Sequence, residues 1–192
     1  PRLRVRPLNE RYEALADELR HGVLERKELH RLLKARKKAR PAQPAQRPTV
    51  YVLDIKGDIL ATAVKSLREE ITAITAAARP DDEVVLRLES PGGAVPHYGL
   101  AAAQLLRLKE KKLKLTACID RVAASGGYLM ACIADHLVAA PFAIIGSIGV
   151  VAQVPNLHRL LEKHDVDFEE MTAGEFKRTV SIFGEITEKG RK

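Results

Sequence analysis

Two glycine-rich stretches carry the chemistry this chain could do: Ser90-Pro91-Gly92-Gly93 and Ala124-Ser125-Gly126-Gly127-Tyr128. The first leaves an aliphatic run, Glu83 to Leu88, and enters a helical pattern from Val95, which puts successive glycine amides at a helix N-terminus. Unpaired N–H groups and the helix dipole favour an anionic oxygen there, as an oxyanion hole requires. A tight strand-to-helix turn that merely needs glycine reads the same way. The second stretch sets Ser125 at the mouth of a short helix, flanked by residues small enough for another molecule's backbone to approach. That serine is either a nucleophile facing the positive end of the helix or an N-cap. A nucleophile on one turn and an amide nest on a neighbouring one is the arrangement acyl transfer needs.

A serine hydroxyl needs a base. The histidines are His21, His30, His97, His136, His158 and His164: two lie in the basic arm, His136 begins a strand just after the short helix, the others sit on helices with charged neighbours, and none announces itself as a base. His97 follows the first glycine turn by a few residues and is the nearest rival, although a histidine on a first helical turn is usually solvated. The other base is a lysine made neutral by desolvation. Cys118 and Cys132 lie in apolar segments, and two cysteines alone do not make a zinc site, so no metal and no cofactor are expected.

The elements that must hold these turns follow from the hydrophobic pattern. Asn9 to Ala39 is amphipathic and helical, with a break near Gly22, and runs into a Pro/Ala/Gln linker containing Pro41, Pro44 and Pro48. A domain then begins near Thr49. Strand Val50 to Ile55, helix Ala61 to Ala78, strand Glu83 to Leu88, helix Val95 to Lys109 and strand Leu113 to Ile119 alternate. A short helix from Ser125 to about Ala134, strands His136 to Ala139 and Ile148 to Gln153, a helix Asn156 to Lys163 and a strand Asp167 to Thr172 complete the pattern. The alternation predicts an α/β fold with a helix-covered parallel sheet, whose chemistry gathers at the carboxyl ends of the strands.

With 192 residues and 46% hydrophobic content the chain can bury a real core, and the low aromatic content of 4% suits aliphatic layers. Collagenous, low-complexity and disulfide-scaffold classes are excluded. Its net charge of +7 is a local matter. Residues 1–48 carry 14 Lys+Arg against 6 Asp+Glu, whereas residues 49–192 carry 18 against 19, so the domain is neutral and no nucleic-acid partner is expected. The chain starts at Pro1 and stops in a helix-like pattern, so both ends read as cut. No stretch approaches the roughly 20 apolar residues of a membrane span.

Ser90-Pro91-Gly92-Gly93, Ala124-Ser125-Gly126-Gly127-Tyr128, Ile145-Gly146-Ser147-Ile148-Gly149-Val150 and Gly174-Glu175-Phe176-Lys177, in that order, resemble the signal peptide peptidase A family of Ser-Lys serine proteases, nearest its SohB branch. The resemblance implies a ClpP/crotonase-like fold of repeated β-β-α units, a basic membrane-proximal arm over 1–48 and a protease domain over 49–192. It implies Ser125 as nucleophile, Lys177 as general base, Ser147 holding the lysine amine, and the amides of Gly92 and Gly126 as the oxyanion hole. Physics agrees in part: the run Phe142 to Val151 carries no charge, so a lysine reaching into it would lose hydration without gaining a carboxylate. Substrates would be extended peptides or unfolded segments, remnant signal peptides among them, with Val95, Tyr128 and Leu129 as pocket walls. A homo-oligomer attached to the inner membrane by a span outside this sequence, with an extracytoplasmic catalytic domain, is the expected setting.

Three neighbouring readings are weighed against it. A Clp-type protease would need a histidine some two dozen residues after Ser125, where Gly149, Val150 and Val151 stand instead. A crotonase would leave Ser125, Ser147 and Lys177 without a purpose. A catalytically silent scaffold, docking by its basic arm on a membrane or partner, is the alternative from another class. Glu89 stands where relatives often have Asp, a mild departure just ahead of the first turn.

Overall fold

Strands form at Val50–Lys56 (β1), Glu83–Glu89 (β2) and Lys114–Ile119 (β3), each of which buries every second residue on one face. In the computed structural model, which describes residues 3–39, 47–151, 153–171, 173 and 181–186, these strands pair in parallel. His136–Ala139 (β5) adds to β3, giving the order β1-β2-β3-β5. Val64–Ala77 (α3) and Val95–Glu110 (α4) link β1 to β2 and β2 to β3. The α/β class with a helix-covered parallel sheet is therefore what the chain adopts. Before the sheet come helices Leu8–Val23 (α1), which buries no residue, and Arg26–Ala39 (α2), separated at Leu24–Glu25, close to the break expected at Gly22.

Leu53, Ile55, Val84, Leu86, Leu88, Leu115, Ala117 and Ile119 form one buried face of the sheet, packed under Leu67 and Ile71 of α3 and Tyr98, Leu105 and Leu108 of α4. Each fully buried Leu or Ile contributes about 1.5–3 kcal/mol. The opposite face carries ion pairs instead, Arg87 with Asp54, Lys114 with Glu83 and Arg121 with Glu89. Buried Asp82 ties the start of β2 to the segment before β1. Its carboxylate accepts from the amides of Thr49 (2.7 Å) and Arg79 (2.8 Å) and from the Arg79 guanidinium (3.2 Å).

A second, smaller sheet stands at the carboxyl end of the first. Val122–Ala124 (β4) pairs in parallel with Ile144–Gly146 (β6), and Ser90, just past β2, bridges to Ala123. Gly126–Ala131 (α5) follows β4, so β3-β4-α5 is a strand-strand-helix unit. The sequence pattern misses β4, which is three residues long, and places the strand of the next apolar run at Ile148 to Gln153. The paired segment is Ile144–Gly146, because β4 offers only a three-residue edge and the ladder stops at Ser147. No strand forms among the described residues of 148–153 or 167–172.

The chain divides into two units, Pro1–Ile148 and Gly149–Lys192. In the second, His158–Lys163 (α6) is preceded by Asn156, whose amide group donates to the carbonyls of Ser181 (3.2 Å) and Gly184 (2.9 Å). The rings of Phe168 and Phe183 stack with centroids 5.3 Å apart.

Candidate active site

The β4/β6 ladder ends with Ala124 opposite Gly146, and the next residue on each strand is a serine with positive φ. Ser125 has φ 51°, ψ −118°, and Ser147 has φ 53°. Such backbone is rare for a residue with a Cβ and costs about 1–3 kcal/mol, a strain that clusters at functional sites. The Ser125 amide is held by the carbonyl of Gly146 at 2.7 Å, so two serines 22 residues apart in sequence are brought side by side by one short ladder.

Ser125 occupies the N-cap position of α5 without capping it: its hydroxyl makes no hydrogen bond to the helix, nor to any other group among the described residues. An N-cap serine would spend its oxygen on the amide two or three residues on. Here the side chain is half-buried and its oxygen is uncommitted. Ser147 is exposed.

The first glycine turn lies against the second. Gly92 has φ 87°, which glycine tolerates, and a Cβ there would stand 2.8 Å from both the Gly126 nitrogen and the Ser125 Cβ. Only a residue without a side chain permits this approach. Gly92's N–H, expected as an oxyanion donor, instead donates to Ser90 Oγ at 3.1 Å, because the serine hydroxyl lies within reach of the turn, while the N–H groups of Gly93 and Gly126 have no acceptor among the described residues. The pair of turns thus presents unpaired amides beside a free serine hydroxyl. Behind them, Ser90 Oγ lies 2.6 Å from the Tyr98 hydroxyl, which donates to the carbonyl of Asp58 at 2.8 Å. The sequence reading takes Ser90 only as part of the first glycine turn and does not single out Tyr98.

Of the expected pocket walls, Val95 at the start of α4 and Leu129 on α5 are exposed. Tyr128 is half-buried against the core, and a hydrogen bond to Cys132 pushes its phenol pKa up. Lys177 lies outside the described residues. The uncharged run meant to strip its hydration is itself open to solvent, with Phe142 98% and Ile148 82% exposed, because the short β6 is paired through its backbone and its side chains have no cover. Among the described residues that run builds no dry wall. His97 is exposed on the first turn of α4. No cluster of His, Cys, Asp or Glu suited to a metal occurs among the described residues.

A parallel α/β sheet whose strand-to-helix turns juxtapose a strained serine with glycine amides has the geometry that acyl transfer requires, and comparison with known proteins places the chain in a family. The model of the peptidase family S49 N-terminal region matches residues 1–105 and that of peptidase family S49 matches residues 107–192. The chain belongs to peptidase family S49. It is 63% identical over 156 residues to a protein of Haemophilus influenzae described as a probable protease SohB, covering 81% of this chain and 44% of that protein. A probable protease SohB of Buchnera aphidicola subsp. Schlechtendalia chinensis is 57% identical over 145 residues, covering 76% of this chain and 48% of its own. The chain thus spans less than half the length of these curated relatives. Solved structures similar to it include a ClpP1 mutant from Listeria monocytogenes, with TM-score 0.32, 16% identity and 46% of each chain covered. An enoyl-CoA hydratase/isomerase from Marinobacter aquaeolei has TM-score 0.40 and 16% identity, over 52% of this chain and 48% of its own. No described helix is long and apolar enough to cross a membrane.

Proposed function

We propose that this chain carries the active site of a serine endopeptidase working through a Ser-Lys dyad. The observation that carries the reading is Ser125: strained, not capping its helix, and flanked by unpaired glycine amides on two adjoining turns. Neutral Lys177 takes the proton from Ser125 Oγ as the oxygen bonds to the scissile carbonyl carbon. The tetrahedral oxyanion is received by the Gly126 N–H and by the Gly92–Gly93 turn, where Gly92 donates to Ser90 Oγ and the Gly93 N–H has no acceptor among the described residues. Lys177 then gives its proton to the leaving amine, and the C–N bond breaks. Water, deprotonated in turn by Lys177, attacks the ester carbonyl, Ser125 Oγ leaves taking that proton back from Lys177, and the carboxylic acid product departs with the enzyme restored.

In this reading Ser147 holds the lysine amine, which its position one residue past the ladder that fixes Ser125 supports. The mechanism calls on no metal or cofactor. Substrates are extended peptides or unfolded segments, including remnant signal peptides, lying over Val95, Tyr128 and Leu129. A membrane-attached homo-oligomer with an extracytoplasmic catalytic domain is the setting this reading fits. Ser125→Ala removes one oxygen and leaves the packing of α5 intact. Peptide hydrolysis should fall at least about a thousandfold while thermal unfolding is unchanged. An Ala variant that keeps most of the wild-type rate overturns the assignment.

A further inference from the structure

We infer that Tyr98 is a positioning residue of this active site, acting on both oxyanion turns at once, an inference that rests on the Ser125 reading above. Tyr98 is 1% exposed and Ser90 is 0% exposed, so the polar groups they carry must be satisfied within the protein. Proton counting fixes how. The Asp58 carbonyl can only accept, so the single phenolic proton of Tyr98 goes to it, across 2.8 Å. The 2.6 Å contact between Ser90 and Tyr98 is therefore donated by the serine. Ser90 Oγ is left with lone pairs, one of which takes the Gly92 N–H at 3.1 Å. The result is a one-way chain, from the Gly92 amide to the Ser90 hydroxyl, to the Tyr98 hydroxyl, to the Asp58 carbonyl, in which no member can reverse.

The chain ends on backbone that is itself fixed. The Asp58 carboxylate accepts from the amides of Leu60 (3.1 Å) and Thr62 (3.0 Å) and from the Thr62 hydroxyl, and the neighbouring Ile59 carbonyl accepts from the Ala94 amide at 2.8 Å. The loop after β1 thus grips the first glycine turn at two places. The Tyr98 ring serves the second turn: a Cβ on Gly126 would come within 3 Å of Tyr98 Cβ and Cδ1, so the ring lies directly against the residue that follows the nucleophile. Gly57 and Gly127 lack side chains where one would run into Ser90. One buried tyrosine therefore sets the Gly92 turn through its hydroxyl and the Gly126 turn through its ring face. Oxyanion donors stabilise a transition state only when fixed beforehand.

Tyr98→Phe and Ser90→Ala, separately and together, test this in the intact protein with a peptide substrate, alongside Ser125→Ala. Losing an oxyanion donor outright costs about 10²–10³ in kcat, so loosening one should lower kcat roughly ten- to a hundredfold with KM unchanged. Because both substitutions cut one chain, the double variant should lose no more than the worse single one. A wild-type kcat in Tyr98→Phe, a loss confined to KM, or losses that multiply in the double variant overturn the inference while leaving the Ser125 reading standing. Hydrolysis that survives Ser125→Ala overturns the reading and the inference together. Should the substituted proteins not fold, amide exchange on the wild type decides: a Gly92 amide protected against exchange supports the chain, and one that exchanges as fast as a free peptide overturns it.

Discussion

Five non-glycine residues have positive φ among the described ones, and two of them are Ser125 and Ser147. The strain at those two sits at one level of one ladder, which is why it bears on function: the strands break together and present two hydroxyls. Chemistry at Ser125 then turns on the protonation of its base. A lysine can accept the serine proton only when neutral, so hydrolysis should rise with pH as the amine deprotonates. Lys177→Arg should be nearly inactive at every pH, since a guanidinium does not deprotonate in water's working range. A pH-rate profile of both proteins is the check. Arg at near wild-type rate would shift the base from Lys177 to His97, and activity that falls from acid to mildly alkaline pH would mean that neither residue acts as a general base.

At the scale of elements, α5 begins in contact with the Tyr98 ring of α4, and Gly126 is where they meet. Gly126→Ala should push the ring or the amide aside. Hydrolysis is expected to drop at least about a hundredfold and the melting temperature to fall, read by activity and by thermal unfolding. An Ala variant indistinguishable from wild type would mean that α5 can shift without consequence. The strands and helices that flank this contact were legible because their apolar residues recur with clear periods: His136–Ala139 matches its expected bounds, and Glu83–Glu89 and Val95–Glu110 run one residue past theirs. Strand β4 was not legible, since Val122-Ala123-Ala124 has no room for alternation and is defined only by its partner β6. Ile148 to Gln153 misled for the opposite reason, being an apolar run that pairs with no strand among the described residues. The serine and both glycine turns could be read from residue type and spacing. The Ser90–Tyr98–Asp58 chain could not, because Asp58 and Tyr98 are 40 residues apart and meet only once β1, β2 and α4 are assembled.

For the molecule as a whole, the closest electrostatic link between sequence and stability is Asp82, 2% exposed. Backbone hydrogen bonds from Arg79 and Thr49 come first among the causes that pull its carboxyl from 3.8 down to about 2. A depressed folded-state value means the contribution to stability is complete above pH 4 and is lost as pH falls toward 2. Denaturant melts at pH 6, 4, 3 and 2 should show wild type losing stability over that window, and Asp82→Asn, weaker at pH 6, losing less of it. Parallel acid curves for the two proteins would remove Asp82 from the account. The charge excess that colours the whole composition has no part in this, since it belongs to residues 1–48 and the sheet begins at Val50.

The expectations about hydrolysis all depend on one serine being the nucleophile. The most direct measurement is reaction of the intact protein with a fluorophosphonate, a serine-directed acylating probe, followed by proteolytic digestion and mass mapping of the modified peptide, with Ser125→Ala treated in parallel. One equivalent of label on Ser125, and none on the Ala variant, is the expected result. Label on another serine, equal labelling of the Ala variant, or a native protein that takes up no label would contradict the account.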